Sequence, residues 1–143
     1  MEAAGARAGL RGYRLQQADA QMLPFPDASF SAVVSTLVFC SIPAPELALT
    51  EIKRVLRPGG KLLQLEHTRT GRRWIDAGLD AITPVWKRIA GGCHPNRDTT
   101  ALLEANGWEI ERHDRRGGGL IRLLVSTPSQ GQVDTPNPRL IGR

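Results

Sequence analysis

Residues 30–67 decide the fold, and they read FSAVVSTLVFCSIPAPELALTEIKRVLRPGGKLLQLEH. The first part, Phe30–Ile42, is almost continuously apolar and rich in β-branched residues, which is typical of a parallel strand covered on both faces. Apolar residues at helical spacing follow Pro45, and Lys61–His67 then predicts a second buried strand. This strand–helix–strand order predicts a right-handed crossover and a parallel pair of strands.

The residues that follow predict two more helices and a hairpin. Helical spacing returns over residues 72–90, where Pro84 is expected to kink or split the helix. A short helix is predicted over Thr99–Asn106, with Asn96 or Asp98 as its cap. Two strand-like segments flank a glycine-rich turn and are expected to pair as an antiparallel hairpin; they are Trp108–Asp114 and Leu120–Thr127.

Composition indicates one globular domain. The chain has 143 residues, of which 41% are hydrophobic and 23% charged, and these values exclude a wholly disordered chain. Two cysteines exclude a disulfide scaffold and point to a reducing compartment. There is no apolar run long enough to cross a membrane and no signal peptide at the start, so a cytoplasmic protein is expected. Residues 128–143 are proline-rich and aperiodic, which predicts a disordered tail.

The net charge of +5 raises the question of nucleic-acid binding. The basic residues are scattered along the chain, however, and the densest cluster, around Arg112, Arg115 and Arg116, is interleaved with acidic residues. The few aromatic residues do not alternate with basic ones as a stacking surface requires. A solvated basic surface is therefore expected, with no nucleic-acid partner.

Three stretches together resemble a known family. ADAQMLPFPDASFSAVVS (residues 18–35), EIKRVLRPGGKLLQLEH (51–67) and LLEANGWEIERHD (102–114) resemble class I S-adenosylmethionine-dependent methyltransferases of the type 11 and ubiquinone/menaquinone-biosynthesis kind. The run STLVFCSI (35–42), together with the LEH that ends residues 51–67, looks closest to the methyltransferase-like 7 branch, which includes alkyl-thiol S-methyltransferases. The resemblance implies an α/β, Rossmann-like fold, S-adenosylmethionine as cofactor and a small-molecule acceptor such as a thiol or a quinone-like ring.

The resemblance also implies where the cofactor binds. Asp19 and Ala20 stand where the family contacts the adenine, and an acceptor carboxylate suits the exocyclic amine. Thr36 and Leu37 fall where family members contact the methionine part of the cofactor. The alternatives are that Asp19 only caps local amides and that Thr36 and Leu37 only pack in the core.

Catalysis of methyl transfer is mostly placement of the nucleophile, and a base is needed only when the acceptor must lose a proton. Glu66 and His67 end the second buried strand and are the candidate bases, although His67 could be a merely hydrogen-bonded residue. Cys93-His94 offers two metal ligands without a second cluster, so no metal site is expected. In the family this region covers the substrate, so Trp74, Trp86 and Cys93 are candidates to line the acceptor pocket.

The family's glycine-rich turn after its first strand and the acidic residue after its second are missing from the sequence. Residues 1–127 are therefore expected to form an incomplete doubly wound sheet, namely strands three to seven of a seven-stranded fold. A strand at Tyr13–Gln17 would lack its neighbour, the first 25 residues would be poorly anchored, and the strand at Phe30–Ile42 would expose an apolar edge. A second hypothesis follows: a non-catalytic remnant, or a half-domain that self-associates or needs a partner chain to complete the sheet.

Overall fold

A computed structural model describes residues 14–129, which form one four-stranded sheet with three α-helices. The strands are β1 (Phe30–Thr36), β2 (Leu56–His67), β3 (Trp108–Arg116) and β4 (Ile121–Pro128). The helices are α1 (Pro45–Val55), α2 (Arg73–Ile89) and α3 (Thr99–Ala105).

The strand order is β1-β2-β4-β3. β1 and β2 are parallel and joined by α1, as the strand–helix–strand pattern predicts. β4 runs antiparallel to both of its neighbours, β2 and β3. The predicted half-sheet and its antiparallel hairpin are thus confirmed, and the parallel pair brings the carboxyl ends of β1 and β2 to the same edge.

The core lies between one face of the sheet and the helices α1 and α3. From α1, Leu49 and Ile52 pack with Leu62 of β2 and Leu124 of β4. Leu103 of α3, which is fully buried, closes the same cluster. Each fully buried leucine contributes about 2 kcal/mol through the apolar surface that it removes from water.

The first strand is shorter than predicted. It ends at Thr36, and Leu37 adopts a positive φ of 54°, which turns the chain out of the sheet. The remaining apolar residues of the predicted strand form a loop that buries Phe39, Cys40 and Ile42. The prediction of a strand over Phe30–Ile42 was wrong at its end because a continuous apolar run reports burial, and a loop that enters the core is buried as well.

The second strand is longer than predicted, since it begins at Leu56 directly after α1. Phe30 pairs with Leu56 whereas Ala32 pairs with Lys61, so the residues in between form an irregular bulge at the start of the strand. A Cβ atom at Gly60 would stand 2.9 Å from a backbone carbonyl oxygen, which is why the bulge needs glycine there.

Two predictions near the amino terminus need correction. Residues 14–17 form no strand, and Tyr13 lies outside the described residues. A strand requires a hydrogen-bonding neighbour, and the part of the chain that the structure describes provides none beside this segment. The expected poor anchoring was wrong for Leu23 and Phe25, whose backbone atoms bind Glu51 and Arg54 of α1.

Helix α2 continues through Pro84 and is not split. The proline removes one amide donor, but this side of the helix is exposed, so the carbonyl left without that donor is open to water. The short helix α3 is confirmed, ending one residue earlier than predicted, and of its two candidate caps Asp98 is the one that binds the helix amides. The proposed tail lies outside the described residues from position 130 onward. None of the helices in residues 14–129 is long and apolar enough to span a bilayer.

Candidate functional site

The carboxyl ends of β1 and β2 carry four of the predicted site residues. Thr36 ends β1 and Leu37 follows it, while Glu66 and His67 end β2. The Leu37 amide donates a 2.8 Å hydrogen bond to the Leu65 carbonyl, which holds the two strand ends side by side. Thr36 and Leu37 are exposed, so this end of β1 offers a surface to a ligand.

Glu66 is completely buried and works as an internal anchor. One carboxylate oxygen, Oε1, accepts hydrogen bonds from the Ser35 hydroxyl at 2.7 Å and from the backbone amides of Val38 and Phe39 at 3.1 and 3.3 Å. The other oxygen, Oε2, is buried and has no partner among the described residues. The structure therefore places this predicted base against the loop that follows β1, where it positions backbone.

His67 lines an apolar pocket of about 300 Å³. The pocket is enclosed by α2, by the start of β4 and by the turn before it, with the lining residues His67, Leu79, Trp86, Pro95, Gly117, Leu120 and Ile121. His67 is the titratable residue in this lining. Its Nδ1 atom is buried and has no hydrogen-bond partner among the described residues.

The structure separates the two tryptophans that were candidates for the acceptor pocket. Trp86 lines the pocket, whereas Trp74 is 75% exposed and is not part of the lining. Sequence reasoning missed Leu120 and Ile121, because both are remote in sequence from β2. The antiparallel pairing of β4 sets Ile121 opposite His67.

Cys93 packs next to Cys40 and His67 instead of forming a site with His94. The two sulfur atoms and a His67 ring nitrogen all lie within 4.8 Å of one another. Burial raises the pKa of the Cys40 thiol to about 11. The His94 amide donates a 2.7 Å hydrogen bond to the Cys40 carbonyl, which ties the two cysteine-bearing loops together.

Asp19, the predicted adenine contact, lies in an exposed turn. Its carboxylate accepts hydrogen bonds from the Gln21 amide at 2.9 Å and from the Gln21 side chain at 3.1 Å, which hold its pKa below the usual range. The Gln21 side-chain oxygen in turn accepts a 2.9 Å hydrogen bond from the Ala44 amide. Because Ala44 directly precedes α1, this turn is fixed beside the helix that follows β1.

Two charged residues of α1 secure the rest of this amino-terminal loop. Glu51 accepts a 2.8 Å hydrogen bond from the Leu23 amide, and Arg54 donates to the carbonyls of Leu23 and Phe25. Glu51 and Arg54 also form an ion pair at 2.8 Å. The hydrogen bond from Arg54, together with that from Leu23, lowers the pKa of Glu51 to about 2.

Comparisons with known proteins show similarity to methyltransferases. Residues 1–64 match the sequence family described as a methyltransferase domain. The crystal structure of an S-adenosylmethionine-dependent methyltransferase from Aquifex aeolicus superimposes with a TM-score of 0.61 at 17% identity, over 87% of this chain and 60% of that chain. The fold is similar to the Rossmann-like fold of that methyltransferase.

Curated relatives point to the same class. Human thiol S-methyltransferase TMT1B is 40% identical over 84 residues, which cover 58% of this chain and 34% of the relative. The ubiquinone/menaquinone biosynthesis C-methyltransferase UbiE of Teredinibacter turnerae is 38% identical over 129 residues, covering 78% of this chain and 52% of the relative. The chain thus spans between about a third and a half of these relatives. Both relatives are methyltransferases, as is the domain family matched by residues 1–64.

S-adenosylmethionine is the methyl donor of this family, and the described residues fit part of it. The exposed Asp19 carboxylate keeps acceptor capacity beyond its bonds to Gln21, which suits the adenine amine. Ala20 adjoins it, and Thr36 and Leu37 are exposed at the end of β1. The Asp19 carboxylate is therefore of a chemical type that fits the adenine end of the donor.

Proposed function

We propose that the chain supports methyl transfer from S-adenosylmethionine to a small apolar molecule that binds beside His67. The observation that carries the proposal is the apolar pocket of about 300 Å³ at the carboxyl end of β2. In doubly wound α/β folds ligands bind beyond the carboxyl ends of parallel strands. A pocket of this size and apolar lining suits one small organic acceptor.

On the cofactor side, Asp19 and Ala20 would hold the adenine, and Thr36 with Leu37 would contact the methionine part. When bound, S-adenosylmethionine supplies a methyl group on a sulfonium sulfur that leaves as a neutral thioether. The chain's own contribution is then to place the acceptor atom in line with that methyl group and to exclude water. The apolar walls formed by Leu79, Trp86 and Leu120 are suited to exclude water.

His67 is the residue suited to remove the acceptor's proton. A neutral imidazole accepts one proton, and the residue borders the pocket. Glu66 has a different part in the proposal, because its carboxylate is bound to the loop after β1. We assign it the role of a positioning residue that keeps Leu37 and its neighbours at the cofactor edge.

The acceptor that we favour is an alkyl thiol. Support comes from the apolar lining of the pocket and from the thiol S-methyltransferase named among the relatives. In the transfer, the acceptor sulfur forms a bond to the methyl carbon as the sulfonium–methyl bond breaks, and the thiol proton passes to His67. A quinone-like ring, the acceptor class suggested by the UbiE relatives, is the competing substrate.

The test uses the purified 143-residue chain with S-adenosylmethionine and either a six-carbon alkanethiol or a hydroquinone. Release of S-adenosylhomocysteine with the thiol, reduced at least about tenfold in His67→Gln, is the expected result. His113→Gln is the matched control, since His113 is exposed on β3. Turnover of the hydroquinone but not of the thiol would show that the thiol assignment is wrong. No turnover with either acceptor would contradict the proposal for the chain by itself.

The second candidate function is a half-domain that completes its sheet with another chain. Among residues 14–129, β1 pairs only with β2, and Val34 on β1 is 71% exposed. An unpaired strand edge is a template for pairing with a further strand. Light scattering measures the oligomeric state, and calorimetry measures binding of S-adenosylmethionine. A monomer that binds S-adenosylmethionine excludes the need for a partner chain. A dimer that Val34→Lys disrupts supports the half-domain.

A further inference from the structure

Three side chains from distant parts of the sequence converge at His67, which lines the pocket. Cys40 lies in the loop after β1, His67 ends β2, and Cys93 follows α2. Their sulfur and ring-nitrogen atoms are all within 4.8 Å of one another. We propose that Cys40, His67 and Cys93 form a binding site for a soft divalent metal ion, with Zn²⁺ as the best match and a small exogenous ligand in the fourth position.

The donor set is the first argument. Two thiolates and one imidazole are ligands that zinc prefers, and three protein ligands with one open position are a known zinc arrangement. Zinc–sulfur bonds of about 2.3 Å put the two sulfur atoms of a tetrahedral site about 3.8 Å apart. Because the present separations do not exceed 4.8 Å, shifts of about an ångström would bring the three atoms onto one ion.

The second argument is an unsatisfied atom of His67. Its Nδ1 is buried and has no hydrogen-bond partner within residues 14–129. Buried polar atoms are nearly always paired, and leaving one unpaired is unfavourable. Coordination of a metal through Nδ1 would remove this deficit.

The third argument is that the backbone already holds the ligands together. The His94 amide binds the Cys40 carbonyl at 2.7 Å, and the Cys93 amide binds the Ala90 carbonyl at 3.1 Å. Glu66 accepts from the amides of the two residues that precede Cys40. A site whose ligands are fixed in this way loses less conformational entropy when the ion binds.

The metal site does not depend on methyl transfer. In the metal-free chain, His67 remains available as a proton acceptor. With a metal bound, the imidazole is a ligand, and a thiol that enters the fourth position loses its proton to solvent through coordination. The two roles of His67 are therefore separable by metal content.

The test is a Co²⁺ titration of the full chain, kept reduced with a phosphine in the absence of oxygen. One equivalent of Co²⁺ should produce a thiolate-to-cobalt charge-transfer band and the intense visible bands of a tetrahedral site, and Zn²⁺ should abolish both. The chain has two cysteines, so this band reports on Cys40 and Cys93 alone. His67→Gln should weaken binding at least about tenfold, whereas His113→Gln should not change it.

Variants of the two cysteines provide the decisive comparison. Cys93 is half-buried, so Cys93→Ser should fold even if Cys40→Ser, at a fully buried position, does not. Cys93→Ser should lose most of the charge-transfer band. A reduced wild-type chain without that band, or a Cys93→Ser variant with unchanged affinity, would overturn the proposal. So would alkylation of both thiols at the same rate with and without excess Zn²⁺.

Discussion

Ser35 of β1 donates a 2.7 Å hydrogen bond to the carboxylate of Glu66 on β2, and both side chains are buried. The same carboxylate oxygen accepts hydrogen bonds from two amides of the loop that follows β1. One acidic side chain therefore joins the two parallel strands and shapes the edge on which the proposed cofactor and metal sites depend.

Replacing Glu66 should destabilise the whole chain. Glu66→Ala would leave the Ser35 hydroxyl and two loop amides without their acceptor, and the expected loss is about 3 kcal/mol in the free energy of unfolding. Urea denaturation followed by circular dichroism measures this loss. Glu104→Ala, at an exposed position of α3, is the control and should change stability by less than about 0.5 kcal/mol. Equal stabilities of the two variants would show that Glu66 is not an anchor.

Glu51 should make stability depend on pH in the acid range. Its pKa is about 2 in the folded chain against an ordinary value of 4.5, so the folded state binds fewer protons than the unfolded state between these values. The stabilisation is fully present above pH 4.5 and is lost as the pH falls towards 2. The stability difference between the wild type and Glu51→Gln should thus shrink from pH 6 to pH 3.

Thermal unfolding of both proteins across this pH range measures the difference. Glu46→Gln, at an exposed position in the first turn of the same helix, is the matched control. A difference that stays constant with pH would mean that the contacts of Glu51 with Arg54 and Leu23 do not persist in solution.

The cap of α3 should be measurable in the same way. The Asp98 carboxylate accepts hydrogen bonds from the amides of Thr100 and Ala101, each at 3.1 Å. Asp98→Ala should lower the free energy of unfolding by about 1 kcal/mol. Asp98→Asn should keep most of that stabilisation, because asparagine is also a good cap. Similar losses in both variants would indicate that the charge of Asp98, and not its capping bonds, is what stabilises the helix.

Filling the pocket should block the acceptor without affecting the metal site. Leu120 lines the pocket and is 39% exposed, so Leu120→Trp can project a larger side chain into it. Calorimetry should show that Leu120→Trp binds a six-carbon alkanethiol about tenfold more weakly than the wild type, or weaker still. Leu47→Trp, on the exposed side of α1, is the control. Unchanged thiol affinity in Leu120→Trp would place the acceptor elsewhere.

Much of the fold could be predicted because its signals are local. The spacing of Leu49 and Ile52 defines the buried face of α1, and Asp98 precedes its helix in the position of a cap. The glycine-rich turn between β3 and β4 likewise predicts the hairpin. In these segments the residues that determine the structure lie within a few positions of one another.

The end of β1 illustrates where such prediction stops. Phe39 and Cys40 are as apolar as the strand before them, and yet they lie in a loop that has two amides bound by Glu66, 27 and 28 positions away. The anchoring of Leu23 by Glu51 and Arg54 is another contact of long sequence separation. Hydrophobic patterns carry no information on such partners, because a side chain's reach across the core depends on how the elements pack.

The sequence by itself determined the class of fold, the parallel pair with its hairpin, and the resemblance to methyltransferases, since these follow from periodicity and from contiguous motifs. Only the tertiary structure decided that Glu66 faces the interior while His67 borders a pocket, although the two are adjacent, because successive residues of a strand point to opposite faces of the sheet. It also decided that Cys93 meets Cys40, 53 positions earlier. The two cysteines come close because the chain crosses over through α1 and returns after α2. No local sequence pattern predicts that these two segments lie side by side.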